Sequence, residues 1–144
     1  WRTLFSQGVK KHEEARAMEL LDRVGLASFR DEEARKLSFG QQKLLELAAV
    51  LMAEPDLILL DEPAGGVNPV MIEKIMRLVE DLNKQGKTFL VVEHNMRLVM
   101  ELCQHIVVLD HGQKIAEGKP SVIQNNPLVL EAYLGSTTNA NAVG

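Results

Sequence analysis

The segment "DLILLDEP", residues 56–63, decides how this chain folds. Four apolar residues run into two carboxylates, Asp61 and Glu62, and a proline then ends the segment. Such a run, apolar without alternation, reads as a parallel strand covered on both faces. A parallel partner needs a crossover, and both pieces follow in order. Residues 69–84 carry helical spacing with Pro69 near the first turn, and "TFLVVEH", residues 88–94, reads as the next strand. Strand, helix and strand at this spacing form a right-handed βαβ unit. The class is α/β.

Working outward, residues 9–24 show apolar residues at helical spacing and Gly25 is a plausible stop. Residues 26–36 are polar and read as loop. A second helix is expected from about Gly40 to Ala53, burying Leu44, Leu45, Leu47, Ala48 and Leu51. Beyond the second strand, residues 95–104 read as helix, and "HIVVLDHGQKIAEGK" reads as two strands around a tight turn at His111-Gly112. A short helix is expected near "PLVLEAYLG", and the polar "STTNANAVG" is expected to be a frayed tail.

Composition narrows the function classes. At 144 residues the length suits one domain, and the net charge of −4, with both signs interspersed, argues against a chain whose main task is binding nucleic acid. The single cysteine, Cys103, has no internal disulfide partner, which fits a reducing cytosol. No apolar run approaches the roughly 18 residues of a membrane span, so a membrane role is expected to be peripheral. The first residue is Trp1 rather than Met, and the chain is expected to be a piece of something longer.

Ligands of open parallel sheets bind beyond the C-terminal strand ends. Asp61 and Glu62 end one strand, and Glu93 and His94 end the next. Asp61, still nearly in the strand, can hold Mg²⁺ directly or through water, because hard cations prefer oxygen. Glu62 points elsewhere and can orient or deprotonate a water, and His94 can touch a phosphate oxygen. Each is also readable as an ordinary polar strand end, His94 above all. "LSFGQQ", residues 37–42, opens the second helix with Ser38 as N-cap and Gln41 three residues on, which makes a capping box. The same helix start suits a phosphate, with Gly40 allowing close approach.

In this order and spacing the chain resembles the nucleotide-binding domains of ABC transporters. "LSFGQQ" looks like the signature L-S-G-G-Q, and "LILLDEP" like the Walker B strand with its catalytic glutamate. "AGGVNP" occupies the place of the D-loop, and "VVEHN" that of the switch histidine. Within the family, "DEPAGGVNP", "VVEHNM" and "NPLVLEAYLG" look most like ATPase subunits of branched-chain amino acid importers. The resemblance implies a partial P-loop NTPase-type sheet, mostly parallel with flanking helices, plus part of the ABC helical subdomain. Residues 1–53 would supply that subdomain with the signature, 54–135 the C-terminal part of the core, and 136–144 a flexible tail.

The resemblance also implies roles. ATP and Mg²⁺ would be the cofactors. Asp61 would hold Mg²⁺ through water, Glu62 would polarise the attacking water, and His94 would contact the γ-phosphate. Ser38, Gly40, Gln41 and Asn68 would meet ATP held by a second ATPase subunit across a head-to-tail interface. Transmembrane permease subunits would be the other partners, with the chain peripheral on the cytoplasmic face of the membrane. Three departures stand out: Phe39 replaces the signature's first glycine and must turn away from the nucleotide, Asn68 replaces a common aspartate, and Gly65 a common serine.

One stretch mimics what the chain lacks. "NKQGKT", residues 83–88, ends like the P-loop G-x-x-x-x-G-K-[ST], but position 81 is Asp81 and the order is helix then strand. Gly86 therefore reads as a C-cap glycine. With no P-loop match before Leu37, the chain alone is expected to be inactive, and its unpaired sheet edge is expected to make it self-associate. Three other readings stay in view: a chromosome-maintenance ATPase fragment, although sustained a/d heptads are missing; a non-catalytic interaction module; and a metal hydrolase using Asp61, Glu62 and His94, although no H-x-x-x-H pair anchors it.

Overall fold

In a computed structural model, residues 11–140 are described, with side chains to Tyr133. They fall into two compact units that divide between Val92 and Glu93.

In the first unit, helix α1 (Lys11–Arg23) ends on Gly25 at φ 71° and packs on α2 (Phe39–Leu51). The expected loop between them contains two 3₁₀ turns, Ala27–Phe29 and Ala34–Lys36. Its ends are pinned by buried Leu26 and Leu37, and Gln42 Nε2 donates to the carbonyls of Ala34 and Leu37 at 3.2 Å. Polarity predicted the solvent exposure of this segment and missed the local backbone bonding inside it. Leu44, Leu47, Ala48 and Leu51 of α2 are buried as expected, while Leu45 is half-buried.

Strand β1 (Leu57–Asp61) pairs in parallel with β2 (Thr88–Val92), Leu57 opposite Thr88 and Asp61 opposite Val92. Helix α3 (Pro69–Lys84) makes the crossover and buries Ile75, Leu78, Val79 and Leu82. Its end explains "QGKT". Gly86 sits at φ 95°, its N–H donates to the Asn83 carbonyl at 2.9 Å, and the Lys87 N–H donates to Leu82 at 3.1 Å. This pair of bonds is a Schellman motif, which closes a helix C-terminus; phosphate binding uses the other end.

Coverage of the strands on both faces is not observed. Ile58 is buried, but Leu57, Leu59, Leu90 and Val92 are more than half exposed. In the parallel register Leu57, Leu59, Leu90 and Val92 share one face. The apolar run predicts two covers because both faces are apolar; the described residues cover one.

In the second unit, α4 (Met96–Leu102) is capped by Asn95, whose Oδ1 accepts from the Leu98 N–H at 3.2 Å. Strands β3 (Ile106–Asp110) and β4 (Gln113–Gly118) form the expected hairpin. Both turn residues, His111 and Gly112, have positive φ (44° and 77°), as a type I′ turn requires. Ile106, Ile123 and Val129 form the unit's buried cluster. Helix α5 (Pro120–Ile123) was not foreseen; α6 (Pro127–Ala140) continues through residues 136–140, where a frayed tail is expected. Residues 141–144 lie outside the described residues. The hairpin makes its own antiparallel sheet, separate from the β1–β2 pair.

Candidate functional site

The start of α2 is built as a capping box. Gln41 N–H donates to Ser38 Oγ at 3.4 Å, and the Ser38 N–H donates to Gln41 Oε1 at 2.8 Å. Two orphan donors are thereby satisfied, while the N–H groups of Phe39 and Gly40 remain in the first turn, where a helix offers no acceptor. Gly40 is buried, and a Cβ there would lie 2.5 Å from Met71 Cγ and 3.4 Å from Val67 Cγ1. The space left by its missing side chain is filled by Met71 of α3 and by Val67. Phe39 is half-exposed; its ring lies against Gly66, and Lys43 Nζ stands 5.6 Å from the ring centroid.

Asp61 and Glu62 occupy the C-terminal end of β1, and both are exposed. Asp61 lines a groove of about 180 Å³ with Lys43, Glu46, Leu59 and Pro63. One exposed carboxylate oxygen donor fits Mg²⁺, which typically takes one or two carboxylates and completes its shell with phosphate oxygens and water. Among the described residues no three His, Cys, Asp or Glu side chains group as a metal cage.

Glu62 has left the strand. Its φ is +45°, its N–H still donates to the Val92 carbonyl at 2.9 Å, and its carbonyl accepts from the Gly65 N–H at 3.0 Å. Strain of this kind at a non-glycine residue is common at functional sites. The loop ends at Asn68, which caps α3 by accepting from the Met71 N–H at 3.0 Å. Asn68 therefore has a structural task that the sequence reading did not assign to it.

In the second unit, the Glu93 carboxylate accepts from the N–H groups of His94 (2.9 Å) and Asn95 (3.0 Å). Glu93 thus shapes the turn, and the His94 side chain is 77% exposed, with Nδ1 3.9 Å from Glu93 Oε2. The structure brings Ser38, Gly40, Asp61, Glu62 and Asn68 into the first unit and His94 into the second. Sequence reasoning missed Gly66 as a contact, although a glycine pair beside an aromatic departure was visible in "AGGVNP" and "LSFGQQ".

Comparisons with known proteins follow the same map. A family model described as ABC transporter matches residues 2–65. A second, described as branched-chain amino acid ATP-binding cassette transporter, matches residues 113–137. The probable branched-chain amino acid transport ATP-binding protein LivG of Archaeoglobus fulgidus is 42% identical over 138 residues, covering 94% of this chain and 54% of the relative. The high-affinity branched-chain amino acid transport ATP-binding protein BraF of Pseudomonas aeruginosa is 39% identical, covering 92% and 54%. The lipopolysaccharide export system ATP-binding protein LptB of Acidithiobacillus ferridurans is 35% identical, covering 83% and 50%. A crystal structure of an ATP-binding cassette of an ABC transporter in its ADP conformation superposes with TM-score 0.81 at 33% identity, over 93% of this chain and 56% of that one. The chain spans about half the length of the curated relatives it matches.

Proposed function

Since the chain belongs to the ABC transporter ATP-binding family, we propose that it is the signature-bearing, C-terminal part of an ATPase subunit that drives import of branched-chain amino acids. The observation that carries this reading is the ordered match of motif and geometry in the first unit. Ser38 caps the helix where the signature belongs, and Glu62 follows β1 with its backbone turned aside from Asp61. Export of lipopolysaccharide is the alternative cargo among the relatives, and the match at residues 113–137 favours amino acids.

In this reading Asp61 would hold Mg²⁺ through water, and the bound ion would supply positive charge beside the phosphates. Glu62 takes the proton of, or orients, the attacking water, and His94 contacts the γ-phosphate. Ser38, Gly40, Gln41 and Asn68 face nucleotide gripped by the P-loop of a second ATPase subunit, and permease subunits hold the assembly at the inner face of the membrane. The only P-loop-like stretch here is a helix end, so the chain alone is inactive.

The test is Glu62→Gln in the complete subunit. The amide keeps size and loses basicity, so turnover should fall by roughly 10²–10⁴ with ATP binding retained. Near-normal hydrolysis would remove Glu62 from catalysis and with it this reading.

A further inference from the structure

Two departures from the family's pattern, Phe39 and Gly65, are linked in the fold through Gly66, which lies against the Phe39 ring and follows Gly65 in the chain. The turn after Glu62 is closed by two backbone bonds, Gly65 N–H to the Glu62 carbonyl at 3.0 Å and Val67 N–H to the Ala64 carbonyl at 3.2 Å. Its centre is Gly65-Gly66, with Gly66 at φ 68°. A glycine pair offers no side chain with which to hold itself, and it loses the most backbone freedom when ordered. Both glycines have a neighbour where a side chain would be. A Cβ on Gly65 would lie 3.7 Å from Glu62 Oε2, so the Glu62 carboxylate rests over Gly65. A Cβ on Gly66 would lie 3.3 Å from Phe39 Cε1, so the Phe39 ring rests on Gly66.

The ring has a firm base. Gly40, the next residue, is packed against Val67 and Met71, which ties the helix start to the far end of the same loop. Lys43 Nζ, 5.6 Å from the ring centroid, adds a cation–π contact. A serine at position 65 would crowd the Glu62 carbonyl oxygen, 3.3 Å from its Cβ. Glycine at position 65 leaves that space to the carboxylate.

We propose that Phe39 is a positioning residue for Glu62: its ring braces the Gly65-Gly66 turn over which the Glu62 carboxylate lies. The signature helix and the carboxylate of the same subunit are thereby held as one packed body. This rests on the reading of Glu62 as the group that activates water.

Two measurements test it. In the chain itself, Phe39→Ala should speed amide hydrogen exchange at Gly65 and Val67 by about tenfold, because both amides are bonded inside the braced turn. Phe39→Tyr, which keeps the ring, should exchange like the parent. In the complete subunit, Phe39→Ala should lower kcat by about tenfold with KM for ATP within about twofold, as expected when a catalytic group is misplaced but substrate binding is kept. Phe39→Tyr should restore kcat. Should Phe39→Ala fail to fold, Phe39→Leu carries the same readouts, since it fills the space without a flat ring. Unchanged exchange in the ring-less variant, or a tyrosine that does not rescue, overturns the proposal. Near-normal turnover in Glu62→Gln sinks the catalytic role instead, and the exchange experiment still decides whether Phe39 braces the turn.

Discussion

Lys87 Nζ donates to the Glu54 carbonyl at 3.2 Å and stands 3.7 Å from Asp56 Oδ1. It therefore braces the turn before β1 from the turn after α3, alongside the Thr88 N–H bond to the Asp56 carbonyl at 2.8 Å. Its ion pair is to an exposed carboxylate, so the electrostatic part is small. Lys87→Ala should cost about 0.5–1 kcal/mol by chemical denaturation. It should leave the ATP affinity of the complete subunit unchanged, because the Schellman end of α3 presents carbonyls rather than a phosphate cradle. A large loss of affinity in a nucleotide titration would show the stretch to be a true P-loop. That the Lys-Thr pair follows a helix end was legible from context alone. Its bracing partners were not, because Glu54 and Asp56 lie some thirty residues away in sequence.

At the scale of the element, the β3–β4 hairpin carries a small ionic cluster. Glu117 Oε2 accepts from Lys114 Nζ at 2.7 Å, and Glu117 Oε1 lies 3.0 Å from His105 Nε2. The Lys114 bond first, and the His105 bond second, hold the Glu117 carboxyl below its ordinary value of 4.5. A carboxylate with a lowered folded pKa binds fewer protons folded than unfolded, so its contribution is present above the unfolded pKa. That contribution is lost as pH falls through the folded value. Carboxyl-detected NMR titration should place the Glu117 midpoint below 4.5, and Lys114→Ala should move it back toward that value. A midpoint unmoved by Lys114→Ala would discard the assignment. The Glu117 carboxylate is solvent-exposed, so its contribution to stability is small.

For the whole molecule, the exposed apolar face of Leu57, Leu59, Leu90 and Val92 has a direct consequence. Together with the outer edges of a two-stranded parallel sheet, it offers both apolar surface and unpaired backbone groups. The chain should therefore self-associate at micromolar concentration, and sedimentation velocity should show species larger than a monomer of 16.0 kDa. A clean monomer with cooperative unfolding would mean that the sheet is closed within the chain. Under the proposed division of the site between two subunits, calorimetry on the purified chain should detect no micromolar affinity for Mg-ATP. Tight binding by the chain alone would overturn the division of the site between subunits.

The amino-acid sequence determined the longer elements and their order. Helical spacing placed α1, α2 and α3, the apolar run placed β1, and His111-Gly112 placed the hairpin turn. These are local facts, set by side-chain period and by which residues accept positive φ. The family was legible for the same reason, because its motifs are short and contiguous. Tertiary structure alone decided which faces are covered and which side chains are occupied. Asn68 Oδ1 and the Glu93 carboxylate accept from backbone N–H groups, and Gly40 became a packing contact for Met71. The Phe39 ring found Gly66 across a gap of 27 residues that no periodicity measures. Contacts of that kind depend on how elements pack, and packing is a property of the folded whole rather than of any segment.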